Sequence, residues 1–504
     1  MKVVMILVDS VNRRFLNCYG AKEPAITPNL DRLAERATVF ENHWCGSSPC
    51  MPARRDILTG RLNFLEKPWG GIEPFDQPLP KMLASEGVFS HIVTDHYHYI
   101  RVGGENYLNA FTTYDLIRGQ EKDPWKLRPC DVDMPRPDGY LGTFSPIHED
   151  NRVMFREEDS YPTPTTLRRA AAWLDENADA DNFFLWVEGF DPHEPFDVPQ
   201  SYLDLYADEA QVDETESNFW PPYARNTFTD EQTKRLRVRY KALLSMTDAY
   251  IGKIFDVLDR RGMWDDTMVI FTTDHGYMLG EHGFWSKNYM PAYNEVFHLP
   301  LIVWHPAAKI RRFTGLTQNI DLYPTLLQLF GVDTGLLRHP IHGKDLMPAL
   351  LGETDAVRSE VLYGYFGKSI NCFDGRYTYF RAAKDETNRP LYVYTAMPST
   401  SGKNYGSDTI RKEDYEKIEM GHLPFTTYPV YRFPADILAV SASSAGLSAR
   451  TPENTENLLF DLETDYAQKH PLTDEKTERR CMETLKRAML AHQAPPEQFE
   501  RIGL

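Results

Sequence analysis

No two cysteines in this 504-residue chain carry the spacing of a redox or metal-binding motif. The six are scattered, at Cys18, Cys45, Cys50, Cys130, Cys372 and Cys481. That scatter excludes a disulfide-stapled scaffold and a zinc finger. Long hydrophobic runs are missing as well, so no segment reaches the length of a membrane span. The opening MKVVMILVDS is apolar only as far as Asp9. It is too short for the apolar core of a secretory signal, reads as a first strand, and leaves the cytoplasm as the expected compartment. A basic excess is also absent: 73 acidic residues against 55 basic ones give a formal charge of −18. Such a surface excludes a nucleic-acid partner and requires any anion site to be a local basic pocket. Internal repeats and low-complexity tracts are missing. Trp69-Gly70-Gly71 is not a phosphate-binding loop, because no helix-opening lysine follows it.

What is present is an ordinary globular composition, 42% hydrophobic and 25% charged. The length calls for one large domain and a smaller one. Short apolar, β-branched runs recur at Val3–Val8, Phe89–Thr94, Phe183–Val187, Val269–Thr273 and Leu301–Trp304. Runs of this kind suit strands buried on both faces of a mostly parallel sheet. Between them, Asp230–Arg261 carries a helical apolar stripe through Leu236, Tyr240, Leu243, Leu244, Ile251, Ile254, Phe255 and Leu258, and Gly262 supplies the stop. This alternation predicts an α/β sandwich. Trp125–Pro164, rich in Pro, Asp, Gly and Arg, reads as a long surface excursion of the sort that shapes a site's mouth. Beyond about Leu362 the texture changes. Tyr377–Arg381 and Leu391–Tyr394 suggest a small antiparallel sheet, Ser399–Thr409 a loop, and Thr473–Gln493 a terminal helix. The expected division is therefore 1–362 and 363–504.

One segment concentrates chemistry: Ser47-Ser48-Pro49-Cys50-Met51-Pro52-Ala53-Arg54-Arg55-Asp56. Pro52 fits the first turn of a helix, which places Cys50 at or near its N-cap. Free N–H groups and positive partial charge there suit an anion beside Cys50, and Arg54 lies one turn on. Taken alone, the segment fits a buried, inert cysteine before a common helix start equally well.

Cys50-Met51-Pro52-Ala53-Arg54 resembles the C-x-[PA]-x-R signature of the sulfatase family, formylglycine-dependent enzymes of the alkaline-phosphatase-like superfamily. Thr27-Pro28-Asn29-Leu30-Asp31-Arg32-Leu33, Asp274-His275-Gly276, the block from Gln318 to Leu326, and Leu459-Phe460-Asp461-Leu462-Glu463-Thr464-Asp465 resemble further family segments, in order along nearly the whole chain. The resemblance implies an alkaline-phosphatase-like sandwich with a smaller C-terminal α+β domain. It also implies hydrolysis of a sulfate ester, a small sulfated saccharide or an aryl sulfate, by Cys50 converted to formylglycine. A separate maturation enzyme would be the partner that makes the conversion. In that chemistry one hydroxyl of the hydrated aldehyde attacks sulfur, and the second expels the sulfate as the aldehyde re-forms, while a divalent cation neutralises the sulfuryl oxygens.

By the same resemblance Asp9, Cys50, Asp274 and His275 are the metal positions. The strand ends at Asp9 and Asp274 can converge, because ligand sites form beyond the carboxyl ends of strands. Arg54, His96, His193 and Lys287 complete the catalytic set, with His193 at the sulfate and Lys287 donating to the bridging ester oxygen. Calcium is the family's first expectation, with manganese or magnesium behind it, although the His275 imidazole is an unusual calcium ligand. Two departures stand out. Ser10 replaces a second acidic residue and is a weak ligand or substrate contact, and Thr94 replaces the lysine of a Lys-x-His pair. Thr94 keeps open a phosphonate monoester or phosphodiester hydrolase of the same superfamily. A non-catalytic glycan- or anion-binding protein on this scaffold, and a thiol hydrolase using Cys50 directly, are weaker alternatives. Tyr97, His98 and Tyr99 read as pocket wall, Arg55 as a structural ion-pair partner, and the pairs Arg168-Arg169 and Arg260-Arg261 as solvated helix faces.

Overall fold

The computed structural model describes residues 1–400, 403–406, 409–438 and 456–504. At its centre lies a nine-stranded mixed sheet. Its order is His298–Leu299, Thr38–Trp44, Leu301–Trp304, Thr267–Thr272, Lys2–Val8, Phe183–Gly189, Phe89–Thr94 and Thr113–Leu116, with Arg312–Gln318 also paired to Thr38–Trp44. The strands from Thr267–Thr272 across to Thr113–Leu116 run parallel. Lys2–Val8 is buried along its whole length, which is why it reads as an unbroken apolar run. Its residues divide between two cores. Val4, Ile6 and Val8 pack with Leu243, Ile251 and Ile254 of the Asp230–Arg261 helix. Val3, Met5 and Leu7 face Ile57, Leu58 and Leu326 on the other side. Helices on both faces of a mostly parallel sheet make the α/β sandwich expected from the sequence.

The long helix spans Asp230–Arg261, as its periodicity predicts. Thr229 and Gln232 form a capping box, and Gly262 ends the helix at φ 64°, a left-handed conformation that glycine adopts without a Cβ penalty. The Trp125–Pro164 excursion is less irregular than expected. It contains a helix at Pro146–Arg152, and its last residues already belong to the helix Pro162–Glu176. Pro146 and Pro162 each open a helix, where a missing N–H costs nothing, so proline content alone is a poor guide to loop.

Toward the C-terminus, Val361–Tyr365, Ile370–Phe373, Tyr377–Arg381 and Leu458–Asp461 form an antiparallel sheet. Tyr392–Thr395, Val430–Pro434 and Glu419–Gly421 form another. Within Ser399–Thr409, the pairs Ser399–Thr400 and Lys403–Asn404 make a short ladder rather than plain loop, and 401–402 and 407–408 lie outside the described residues. The terminal helix runs Glu475–Ala491 and is followed by Pro496–Arg501. Ser47–Ser48 joins the edge of the first of these sheets, parallel to Val361–Tyr365. The C-terminal sheet thereby braces the turn that leads into Cys50.

Candidate active site

Parallel registration sets the site. Val8 lies opposite Gly189, Leu7 opposite Thr272, and Thr94 opposite Glu188, so four strands end along one edge. The residues just past those ends are Asp9, Asp95-His96, Phe190 to His193, and Thr273 to His275. This is where open α/β sheets place ligands. Asp9 is fixed by its N–H to the Gly189 carbonyl at 2.9 Å. The chain then turns through Ser10 at φ 66°, a conformation that costs a non-glycine residue energy and here must be held by its surroundings. The holding contacts are Ser10 N–H to Asp274 Oδ1 at 3.2 Å and the Tyr240 hydroxyl donating to the Ser10 carbonyl at 2.9 Å.

Opposite that edge, the helix Cys50–Thr59 begins at Cys50 and is buried throughout. Asp56, one face of this helix, accepts from Ser47 N–H (2.6 Å), Ser47 Oγ (2.8 Å) and Asn63 Nδ2 (2.7 Å), which pins the incoming turn. Arg54 projects from the first turn into the sheet edge with no exposed surface. Its guanidinium serves three carboxylates: Nε to Glu188 at 2.8 Å, Nη2 to Asp9 at 2.9 Å, and Nη1 to Asp274. Burial would lower the Arg54 pKa, but Glu188, Asp274 and Asp9 together hold it well above the usual value. Burial likewise would raise Asp9, yet the charges of Lys287 and Arg54 keep it well below the usual carboxylate range. Arg54 and Asp9 are thus each held in the ionised form against the cost of burial.

Donor atoms of Asp9, Cys50, Asp274 and His275 all lie within 4.8 Å of one another, and all four residues are buried. His275 Nδ1 faces the Gly276 carbonyl at 2.8 Å. A carbonyl only accepts, so Nδ1 carries the proton and Nε2 offers its lone pair inward, 3.2 Å from Cys50 Sγ. Burial depresses the His275 pKa, which keeps the ring neutral and able to ligate. Two carboxylates, one imidazole and an oxygen-bearing derivative of Cys50 fit a divalent cation.

The remaining expected residues surround this cage. Lys287, buried, donates to Ser10 Oγ at 2.8 Å, and Ser10 Oγ donates to Asp9 Oδ1 at 2.7 Å. Ser10 thus links lysine to carboxylate. His96 Nε2 lies 3.9 Å from Asp9, and neither of its ring nitrogens has a hydrogen-bond partner although the ring is fully buried. His193 turns Nδ1 toward the Glu194 carbonyl. Thr94 Oγ1 accepts the His96 N–H at 3.0 Å, a contact within the turn. Arg55 pairs with Asp76 at 2.7 Å, as a structural ion pair should.

Glu188 was missed by sequence reasoning. A single carboxylate in the otherwise apolar strand FFLWVEG demands a buried cation, and that demand was the available signal. It also accepts from the Tyr99 hydroxyl at 3.0 Å and Trp186 Nε1 at 3.1 Å.

A model of the sulfatase family matches residues 2–332, about two thirds of the chain. The chain belongs to the sulfatase family. Its curated relatives include choline-sulfatase of Rhizobium meliloti, 24% identical over 76% of this chain and 78% of that one. Among solved structures, this sulfatase-family chain superposes on BT4656 in complex with D-glucosamine-2-N,6-O-disulfate (TM-score 0.67, 15% identity, 98% of each chain). It also superposes on the phosphonate monoester hydrolase SpPMH from Silicibacter pomeroyi (TM-score 0.60, 21% identity, 76% of this chain and 87% of that one). At such identities the superpositions speak for the shared fold.

Membership in the sulfatase family also bears on the thiol-hydrolase alternative. His275 Nε2 does sit beside Cys50 Sγ, the arrangement such an enzyme needs. Burial and the charge of Asp9, however, hold the Cys50 thiol well above its ordinary pKa, against thiolate formation.

Proposed function

We propose that this protein is a metal-dependent sulfuric ester hydrolase, acting on a small sulfated saccharide or related alkyl or aryl sulfate through formylglycine made from Cys50. The observation that carries the reading is the placement of Cys50 at a helix start inside the Asp9, Asp274 and His275 cluster. Hydrated formylglycine would supply the nucleophile, and a divalent cation, calcium first and manganese or magnesium next, would neutralise the sulfuryl oxygens. Arg54 orients Asp9 and Asp274 through its forked hydrogen bonds. One open nitrogen of the neutral His96 ring is suited to donate to a sulfuryl oxygen, His193 to contact the sulfate, and Lys287 to donate to the departing ester oxygen. Among the described residues no helix is long and apolar enough to cross a membrane.

The phosphorus-ester reading retains one specific support: Thr94 brings no cation to the site. Matched p-nitrophenyl sulfate and p-nitrophenyl phenylphosphonate, assayed with enzyme from a host that matures Cys50, separate the two. Sulfate turnover exceeding phosphonate turnover in kcat/KM is expected, with both lost on chelation and restored by a divalent ion. Faster phosphonate turnover, or activity indifferent to chelation, would overturn the reading.

A further inference from the structure

Glu194 is a buried carboxylate that the hydrolytic chemistry leaves without a task. It follows His193, has no exposed surface, and neither carboxylate oxygen has a hydrogen-bond partner. Its neighbours, the Lys287 ammonium and the neutral His193 ring, are already engaged. Lys287 Nζ, 3.9 Å away, donates to Ser10 and lies 5.5 Å from the centre of the Tyr277 ring. His193 Nδ1, 3.3 Å away, is directed at a backbone carbonyl. The Tyr223 and Tyr277 hydroxyls flank Glu194 without completing a bond of good geometry. A buried, underserved carboxylate is costly to keep and marks a missing partner.

Position and charge say what that partner is. Lys287 Nζ lies 3.7 Å from Asp9 of the cage and 3.9 Å from Glu194, so one ammonium neighbours both. An ester whose bridging oxygen meets Lys287 therefore extends its alcohol part toward Glu194 and Tyr223, and Tyr223 is 40% exposed and open to solvent. Four fully buried carboxylates, Asp9, Glu188, Glu194 and Asp274, face two buried cations, Arg54 and Lys287. Burial pushes the Glu188 and Glu194 carboxyls up to about 7, so the ionised form of each is favoured by a cation placed beside it. Glu121 at the rim adds no cation; its carboxylate accepts from the Tyr97 hydroxyl at 3.0 Å and is countered by Lys122 and Arg101.

We propose that Glu194, with the ring of Tyr223, forms a subsite for an ammonium group on the alcohol part of the sulfate ester, so that the preferred substrate is zwitterionic. A carboxylate beside an aromatic face binds ammonium ions by charge and by cation–π attraction. The inference rests on the sulfate-ester reading above and narrows it to amino alcohols or aminosugars.

The test compares pairs matched in size that differ in charge: 2-(trimethylammonio)ethyl sulfate against 3,3-dimethylbutyl sulfate, and glucosamine 6-sulfate against glucose 6-sulfate. The pair with the larger ratio identifies the source of the ammonium. The cationic member should be preferred in kcat/KM by about tenfold or more, and Glu194→Gln should bring that ratio close to one. Turnover of both members with a ratio near one in the wild type overturns the proposal, as does a ratio that survives Glu194→Gln. Should Glu194→Gln fold poorly, Tyr223→Leu at the open rim should lower the same ratio. If no sulfate ester is turned over, it is the hydrolase reading that fails. Calorimetry with tetramethylammonium alone then decides the subsite: binding weakened by Glu194→Gln supports it, and no binding contradicts it.

Discussion

Cys50→Ala will lower kcat for sulfate esters by on the order of 10⁶-fold, the scale seen when a covalent nucleophile is removed from a preformed site. The loss belongs to the nucleophile and not to the fold. Cys50 is a small side chain at a helix start, and the rest of its surroundings are held by contacts that do not involve it. Arg54 keeps its three carboxylates, and Asp56 keeps Ser47 and Asn63. The thermal unfolding midpoint of the variant should therefore stay close to that of the parent. Binding of substrate should survive as well, because Lys287, His193 and His96 are untouched. A variant with near-parental turnover would remove Cys50 from the chemistry altogether.

Arg54→Met will cost both stability and activity. Among the described residues the guanidinium is the only cation in direct contact with Glu188, Asp9 and Asp274 together, and all four groups are fully buried. Breaking a buried ion pair by removing one partner costs about 3–5 kcal/mol, because the remaining charge is left uncompensated. Here three charges lose their common partner. A lowered unfolding midpoint, with turnover nearly abolished, is the expected result. Arg54→Lys should recover part of the stability, since one ammonium restores charge, yet little activity, since it cannot serve three carboxylates with a planar fork. Full recovery of activity by lysine would show that the fork does not matter.

Much of this site was legible from residue type and place. Strands buried on both faces announce themselves as apolar runs, and Phe89–Thr94 and Leu301–Trp304 were placed to the residue. Because the runs ending at Val8, Thr94 and Thr272 belong to strands in parallel register, Asp9, His96 and Asp274 share one edge. The Asp230–Arg261 helix was equally plain, since its apolar stripe is regular and Gly262 marks its end. Prolines misled in the excursion, where Pro146 and Pro162 start helices. Ser10 could be read only as a poor ligand, because nothing local reveals that its hydroxyl joins Lys287 to Asp9 across 277 residues of chain. Glu194 was opaque for the same reason. In Pro192-His193-Glu194-Pro195 a carboxylate looks like loop decoration, and its burial depends on Lys287, Tyr223 and Tyr277 arriving from elsewhere. Residues at strand ends are fixed by topology and can be foreseen. Those whose role depends on a side chain brought in by another loop cannot.

The account turns on what Cys50 becomes. Protein from a host that matures sulfatases should be digested, and the mass of the peptide carrying Cys50 measured alongside turnover of p-nitrophenyl sulfate. Conversion to formylglycine lowers the peptide mass by about 18 Da. The structure predicts the lighter peptide, with turnover proportional to its fraction; an intact cysteine in a fully active preparation would contradict it.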